Sequence, residues 1–252
     1  MYISCLLIDV GENPDRPRPG RLWLRNLYHV HQRLCMAFPS TARKQGDPDF
    51  LRPFDPADFA MDFAAEEKKH VHAERDDGAG FLYRIDAQPG GGVVILVQSA
   101  TQPDWDYAFQ NVSFLAAREV KPFDPIFAAG EHFRFRLLAN PTRKIDTKSG
   151  PDGRRNNGKR VPVPGDKLLD WLAGRAPALG VSINEKPETI VQPGYVYFGK
   201  RRDAAGQRLR SARYDGLLTV TDSALLRRKL AQGVGPGKAF GFGLLSLARV
   251  PQ

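Results

Sequence analysis

The sequence predicts an α+β fold: tandem ferredoxin-like domains, each an antiparallel sheet with helices on one face. Two observations predict it. The 252 residues suffice for two small domains that each bury a core. In each half, strand-like and helix-like apolar segments follow one another in an order compatible with a β-α-β-β-α-β unit. A new unit begins near Lys121, which divides the chain into residues 1–120 and 121–252.

In the first half, the segment Tyr2–Ile8 consists mostly of β-favouring residues and reads as a buried strand. A Pro/Gly/Arg loop follows, over residues 11–21. Trp23–Phe38 has helical periodicity and stops at Pro39. The polar, Pro- and Asp-rich stretch to Pro56 reads as an exposed loop. Gly80–Asp86 and Gly92–Ser99 are strand-like, and the Gln-Pro-Gly-Gly turn at 88–91 joins them into a hairpin. The second helix of this half has no position that its sequence marks.

In the second half, His132–Leu138 alternates, with an apolar face opposite Arg134 and Arg136. A Gly/Lys/Arg-rich loop spans 140–164, and Asp166–Ala173 reads as a helix. Gly194–Gly199 and Tyr214–Val220 read as strands, and Asp222 caps a helix that runs through Gln232. A Gly-rich loop at 233–243 leads into a closing strand, Leu244–Val250.

Composition narrows the function. Apolar residues make up 42% and charged residues 26%, the balance of a folded protein, and no apolar run reaches the eighteen residues of a transmembrane helix. The N-terminal run is short and lacks a basic leader, so it does not read as a signal peptide. Cys5 and Cys35 both lie in apolar runs, with no zinc-like spacing, and read as reduced core residues of a cytoplasmic protein. The net charge of +9 points to a polyanionic partner.

Three features carry chemistry. On the helix at 100° per residue, His31 falls about 40° from Leu27, inside the apolar arc, and Tyr28 is its neighbour one turn away. His29 points about 160° from His31, so the His-x-His string cannot chelate a metal from a helix. Periodicity leaves two readings of this pair open: a satisfied core histidine beside a rim aromatic, or a partly desolvated general acid–base beside a phenol that orients a phosphate or ribose. Second, the loop from Arg143 to Arg160 holds seven cations (Arg143, Lys144, Lys148, Arg154, Arg155, Lys159 and Arg160) against two acids, which suits a phosphate-gripping arm. Third, the 233–243 loop runs from helix to strand and is no Walker A motif; its glycines Gly235 and Gly237 allow close backbone approach to a sugar-phosphate chain, and Lys238 adds charge. The pair His70 and His72 imitates a metal site but reads as a solvated charged stretch.

Together these features resemble the CasE family of CRISPR-associated endoribonucleases. The likeness rests on the Met-Tyr-Ile-Ser start, the helix motif from Leu27 to Leu34 closed by Ala-Phe-Pro39, and the strand Phe135–Pro141 with its following Thr-Arg-Lys. It extends through Gly158–Pro162, Tyr214–Asp222 and the Gly-rich loop into Gly241–Leu247, in family order along the whole chain. The long stretches at 10–21 and 39–80 depart from the family pattern.

The resemblance implies two RRM-related domains that hold the hairpin of a CRISPR repeat, in precursor and mature crRNA. It implies cleavage at the 3′ base of that stem by 2′-hydroxyl attack, with no metal or cofactor, and retention of the product as a subunit of the type I-E Cascade complex. No membrane partner and no required DNA contact are expected. The family's catalytic pair falls on Tyr28 and His31. Its RNA-binding segments fall on Arg143, Lys144, Arg154, Arg155, Lys159 and Arg160 and on Gly235, Gly237 and Lys238. The rival expectation is a hairpin-binding subunit without catalysis; a metal-dependent nuclease built on His70 and His72 is a weaker third.

Overall fold

The computed structural model describes residues 1–11, 18–38, 80–89, 92–145, 160–183, 189–198 and 207–250. They form two compact units. The first holds residues 1–125 with 197–207 and 239–241; the second holds 126–196, 208–238 and 242–252.

In the first unit, strands β1 (Tyr2–Ile8), β2 (Phe81–Ala87), β3 (Val93–Ser99) and β4 (Leu115–Pro122) form one sheet in the order β2-β3-β1-β4. Every pairing is antiparallel, with Cys5 opposite Leu96 on one side and Glu119 on the other. Two short helices, α1 (Pro19–Leu24) and α2 (Leu27–Cys35), lie between β1 and β2 in sequence, and α3 (Trp105–Phe109) lies between β3 and β4. This is the ferredoxin-like order, with each outer strand reached by a helical connection.

The single helix expected over Trp23–Phe38 is divided. Asn26 adopts extended backbone (φ −117°, ψ 98°), and its side chain accepts from the Tyr28 N–H at 3.1 Å. An Asn at this point satisfies a donor that a helix start would leave orphaned, so it begins a new helix in preference to continuing the old one. Pro19, whose ring suits a first turn, opens α1. The helix missing from the sequence reading is α3, capped by Asp104, which accepts from the Tyr107 N–H at 2.9 Å.

Val30 and Leu34 of α2 are completely buried among Leu6, Ile8, Ile95, Val97, Trp105 and Phe109. Truncating Leu34 to Ala would cost about 2–5 kcal/mol through lost transfer energy and a cavity. Cys35 joins this core, whereas Cys5, on the opposite face of β1 from Leu6, is only half-buried. The expectation of two core cysteines therefore holds for one.

The second unit repeats the order. Strands β5 (His132–Ala139), β8 (Val181–Ile183), β10 (Gln207–Val220) and β11 (Leu245–Arg249) run β11-β5-β10-β8, and β9 (Ile190–Phe198) also pairs with β10. Strands β6 (Thr142–Lys144) and β7 (Arg160–Pro162) make a separate two-stranded ribbon. Helix α4 (Leu168–Ala173) follows a short 3₁₀ turn, and α5 (Ser223–Gln232) begins at Asp222, whose carboxylate accepts from the Leu225 N–H at 2.9 Å. Phe133, Phe135 and Leu137 face inward against Leu168, Trp171, Leu226 and Leu230, as the alternation of β5 predicts. Two identical strand permutations in one chain make the fold a tandem ferredoxin-like α+β architecture. Among the described residues, no helix is long and apolar enough to cross a membrane.

Candidate active site

Tyr28 and His31 lie on α2, one turn apart, both half-buried, while His29 is exposed. Their placement follows from the core side of the helix: Val30 and Leu34 face the sheet, and His31 lies beside them at the margin. The His31 imidazole stacks on two aromatic rings of β2, Phe81 at 5.5 Å and 29°, and Tyr83 at 6.4 Å and 19°. Its Nε2 lies 3.6 Å from Cys35 Sγ, and its Nδ1 is shielded from solvent. His31 is thus neither a fully enclosed core residue nor a solvated surface one. Its ring plane is fixed by aromatic packing, which is what a proton-transfer group requires of its support.

The ring of His29 lies beside that of Tyr28, with centroids 6.4 Å apart. Its Nε2 lies 3.3 Å from Asn26 Nδ2, and its carbonyl accepts from Trp23 Nε1 at 3.3 Å. Arg33 is also structural: its Nη1 donates to the Ala108 carbonyl at 3.0 Å, and burial pushes its guanidinium down from its ordinary value. Among the described residues, no group of three or more His, Cys, Asp or Glu side chains could hold a metal ion. His70 and His72 lie outside the described residues.

Of the cations expected to bind RNA, those among the described residues belong to the second unit. Arg143 and Lys144 are exposed on β6, and Arg160 on β7. Lys144 pairs in register with Arg160, whose Nη1 donates to Thr142 Oγ1 at 3.0 Å. The ribbon is tied to the core of this unit by Trp171, whose Nε1 donates to the Thr142 carbonyl at 3.2 Å. Arg175 lies over the Trp171 ring at 3.9 Å, and burial together with nearby Arg160 pushes its guanidinium down. Arg154, Arg155 and Lys159 lie outside the described residues.

In the Gly-rich loop, Gly235 and Gly237 have φ of +76° and +83°, the left-handed region that glycine adopts without penalty. A Cβ on Gly237 would sit 2.8 Å from the Phe242 ring, and one on Gly235 would sit 3.4 Å from Trp171. Close packing inside the protein therefore already demands glycine here, before any ligand is considered. Phe242 is fully buried, and Phe240 stacks on Phe198 at 4.1 Å, so both aromatics of the loop are engaged by the protein itself. Lys238 is half-buried at the start of a 3₁₀ turn.

A family model described as CRISPR associated protein matches residues 1–249. The chain belongs to this family. It is 33% identical over 180 residues to the CRISPR-associated endoribonuclease Cse3 of Thermus thermophilus, across 66% of this chain and 79% of that protein. It is 29% identical over 250 residues to the CRISPR system Cascade subunit CasE of Escherichia coli, across 98% of this chain and 99% of that one. A solved structure of CRISPR endoribonuclease Cse3 bound to a 19 nt RNA matches with a TM-score of 0.68 and 27% identity, covering 98% of this chain and 100% of that one. The resemblance read from the motifs is met across the chain.

In this CRISPR-associated protein, the sequence reading missed Tyr83. The segment Gly80–Asp86 reads from sequence only as half of a hairpin. The available signal was the aromatic pair at i and i+2, which places Phe81 and Tyr83 on the same face of a strand.

Proposed function

We propose that this protein is an endoribonuclease that cleaves precursor crRNA at the 3′ base of the repeat hairpin and keeps the product as a subunit of a type I-E Cascade complex. The single observation that carries the catalytic assignment is the imidazole of His31 stacked on Phe81 and Tyr83, with Tyr28 one turn away on the same helix. Names of relatives support the reading: one is an endoribonuclease, another a Cascade subunit, and a third is a structure with bound RNA. The work is that of the cytoplasm, where precursor RNA is made.

In the proposed reaction, the ribose 2′-oxygen attacks the adjacent phosphorus in line with the leaving 5′-oxygen. The O2′–P bond forms as the P–O5′ bond breaks. The 2′-hydroxyl loses its proton, the 5′-oxygen gains one, and the products are a 2′,3′-cyclic phosphate and a 5′-hydroxyl. His31 transfers a proton at one of these two oxygens, and Tyr28 positions the reacting group. Arg143, Lys144, Arg154, Arg155, Lys159 and Arg160 grip the stem phosphates, with Lys238 and the backbone around Gly235 and Gly237 adding contacts.

Incubation of the pure protein with end-labelled repeat hairpin, with and without EDTA, tests this reading. One cut at the 3′ base of the stem in both conditions is expected. Tight binding with no cut would make the protein a hairpin-holding subunit only, and a cut lost in EDTA would call for a metal-dependent mechanism.

A further inference from the structure

Tyr83 is completely buried, yet it carries a hydroxyl, and a buried hydroxyl is retained at a cost unless it is hydrogen-bonded. Here it lies against two main-chain acceptors. The Tyr83 hydroxyl donates to the Ala239 carbonyl at 3.0 Å and approaches the Leu27 carbonyl at 3.4 Å. Leu27 is the first residue of α2, immediately before Tyr28. By helix geometry its carbonyl is also the acceptor four residues before His31. Ala239 belongs to the 239–241 segment of the Gly-rich loop, which is part of the first unit.

The ring of Tyr83 serves the same end. It stacks with the His31 imidazole at 6.4 Å, and Phe81 supports the imidazole from the same strand at 5.5 Å. Gly241, with φ +79°, lies so close that a Cβ there would be 3.3 Å from the Tyr83 ring. Ring and hydroxyl thus hold three things in one place: the first turn of α2, the imidazole plane, and the 239–241 segment.

We propose that Tyr83 is a positioning residue for His31, fixing the imidazole by its ring and the start of α2 by its hydroxyl, so that cleavage rate depends on Tyr83 while RNA affinity does not. The inference deepens the reading of His31 as the proton-transfer group and rests on it. Burial, with Cys35 nearby, pushes the phenol well up from its ordinary value, so the group remains a donor throughout the working pH range. Tyr83 is out of contact with solvent, which leaves it no part in binding or chemistry except through what it holds.

The test is single-turnover cleavage of labelled repeat hairpin by wild type, Tyr83→Phe, Tyr83→Leu and His31→Ala, with affinity measured on an uncleavable 2′-deoxy hairpin. Tyr83→Phe keeps the stack and removes the hydroxyl; Tyr83→Leu removes both. The expected order of rates is wild type, Phe, Leu, with Leu slower by roughly 10–100-fold, the scale of a small misplacement of reacting groups. Reaction amplitudes stay at the wild-type value and dissociation constants within about twofold, since stem affinity rests mainly on the cations of the β6–β7 ribbon, Arg143, Lys144 and Arg160. A loss of affinity as large as the loss of rate would overturn the positioning role and assign Tyr83 to the loop that carries Lys238. A partly unfolded population would lower amplitude instead of rate. An inactive His31→Ala beside both Tyr83 variants at wild-type rate would overturn the positioning role alone. A fully active His31→Ala would overturn the catalytic reading, and the inference with it. Failure of both Tyr83 variants to fold would equally overturn it, leaving Tyr83 a residue of the core.

Discussion

Lys144 and Arg160 stand directly opposite each other across the β6–β7 ribbon, two exposed cations in one register position. Like charges so placed destabilise a strand pair in isolation. An anion between or beside the two charges would offset their repulsion, and a duplex presents phosphates at regular spacing.

Replacing both Lys144 and Arg160 with Ala is therefore expected to weaken hairpin binding and to flatten its salt dependence. Each lost phosphate contact removes roughly 0.7–0.9 from the slope of log K against log salt. The ribbon should stay folded, because the Arg160–Thr142 hydrogen bond lost with the variant is exposed, and the Trp171–Thr142 bond that anchors the ribbon uses a main-chain carbonyl. Filter binding at four or more salt concentrations measures it. An unchanged slope would remove the ribbon from the RNA-binding surface.

His31→Ala is expected to slow cleavage by roughly 10²–10⁴, the usual contribution of a positioned acid or base. Hairpin affinity should change little, because one half-buried imidazole adds little to a surface dominated by phosphate contacts. Single-turnover rates and binding constants from one preparation decide the matter. Loss of soluble protein would instead make the ring's packing on Phe81 its main role.

These predictions depend on residues that the sequence exposed unevenly. The strand alternation of β5 and the Asp222 cap of α5 were legible because period and capping chemistry are local. The division of the first helix was not, because Asn26 is tolerated inside a helical pattern, and only its extended backbone shows that it caps α2. Helix α3 has five residues, too few to display a 3.6-residue period. Tyr28 and His31 were visible as neighbours on one face. Tyr83 was hidden, since its partners, Leu27 and Ala239, are 56 and 156 residues away in sequence, and periodicity carries no information at that range. In the sequence the glycines at 235 and 237 suggest close approach to a ligand, whereas Phe242 and Trp171 supply a reason inside the fold.

The nucleophile is tested by substrate chemistry alone. With a single 2′-deoxy nucleotide just upstream of the scissile phosphate, cleavage is expected to stop while binding persists, because the attacking oxygen is gone and the phosphates are not. Cleavage of the all-ribose hairpin should survive excess EDTA. A cut in the deoxy substrate would rule out internal transfer, whatever the role of His31.

The last prediction concerns Gly237. Its φ of +83° strains any L side chain, and a Cβ there would lie 2.8 Å from the fully buried Phe242 ring. The ring cannot swing away cheaply, because close-packed interiors leave few voids to receive it. Gly237→Ala is therefore expected to destabilise the second unit by about 1–3 kcal/mol, the usual cost of backbone held in a sparsely populated region. If the loop also presents its backbone to RNA, affinity measured well below the melting temperature should fall as well, because a displaced Phe242 shifts the turn that carries Lys238. Chemical denaturation followed by hairpin titration separates the two effects. Reduced stability with unchanged affinity would mean that Gly237 serves packing alone, and a wild-type denaturation midpoint would show that the loop adapts to the added methyl group.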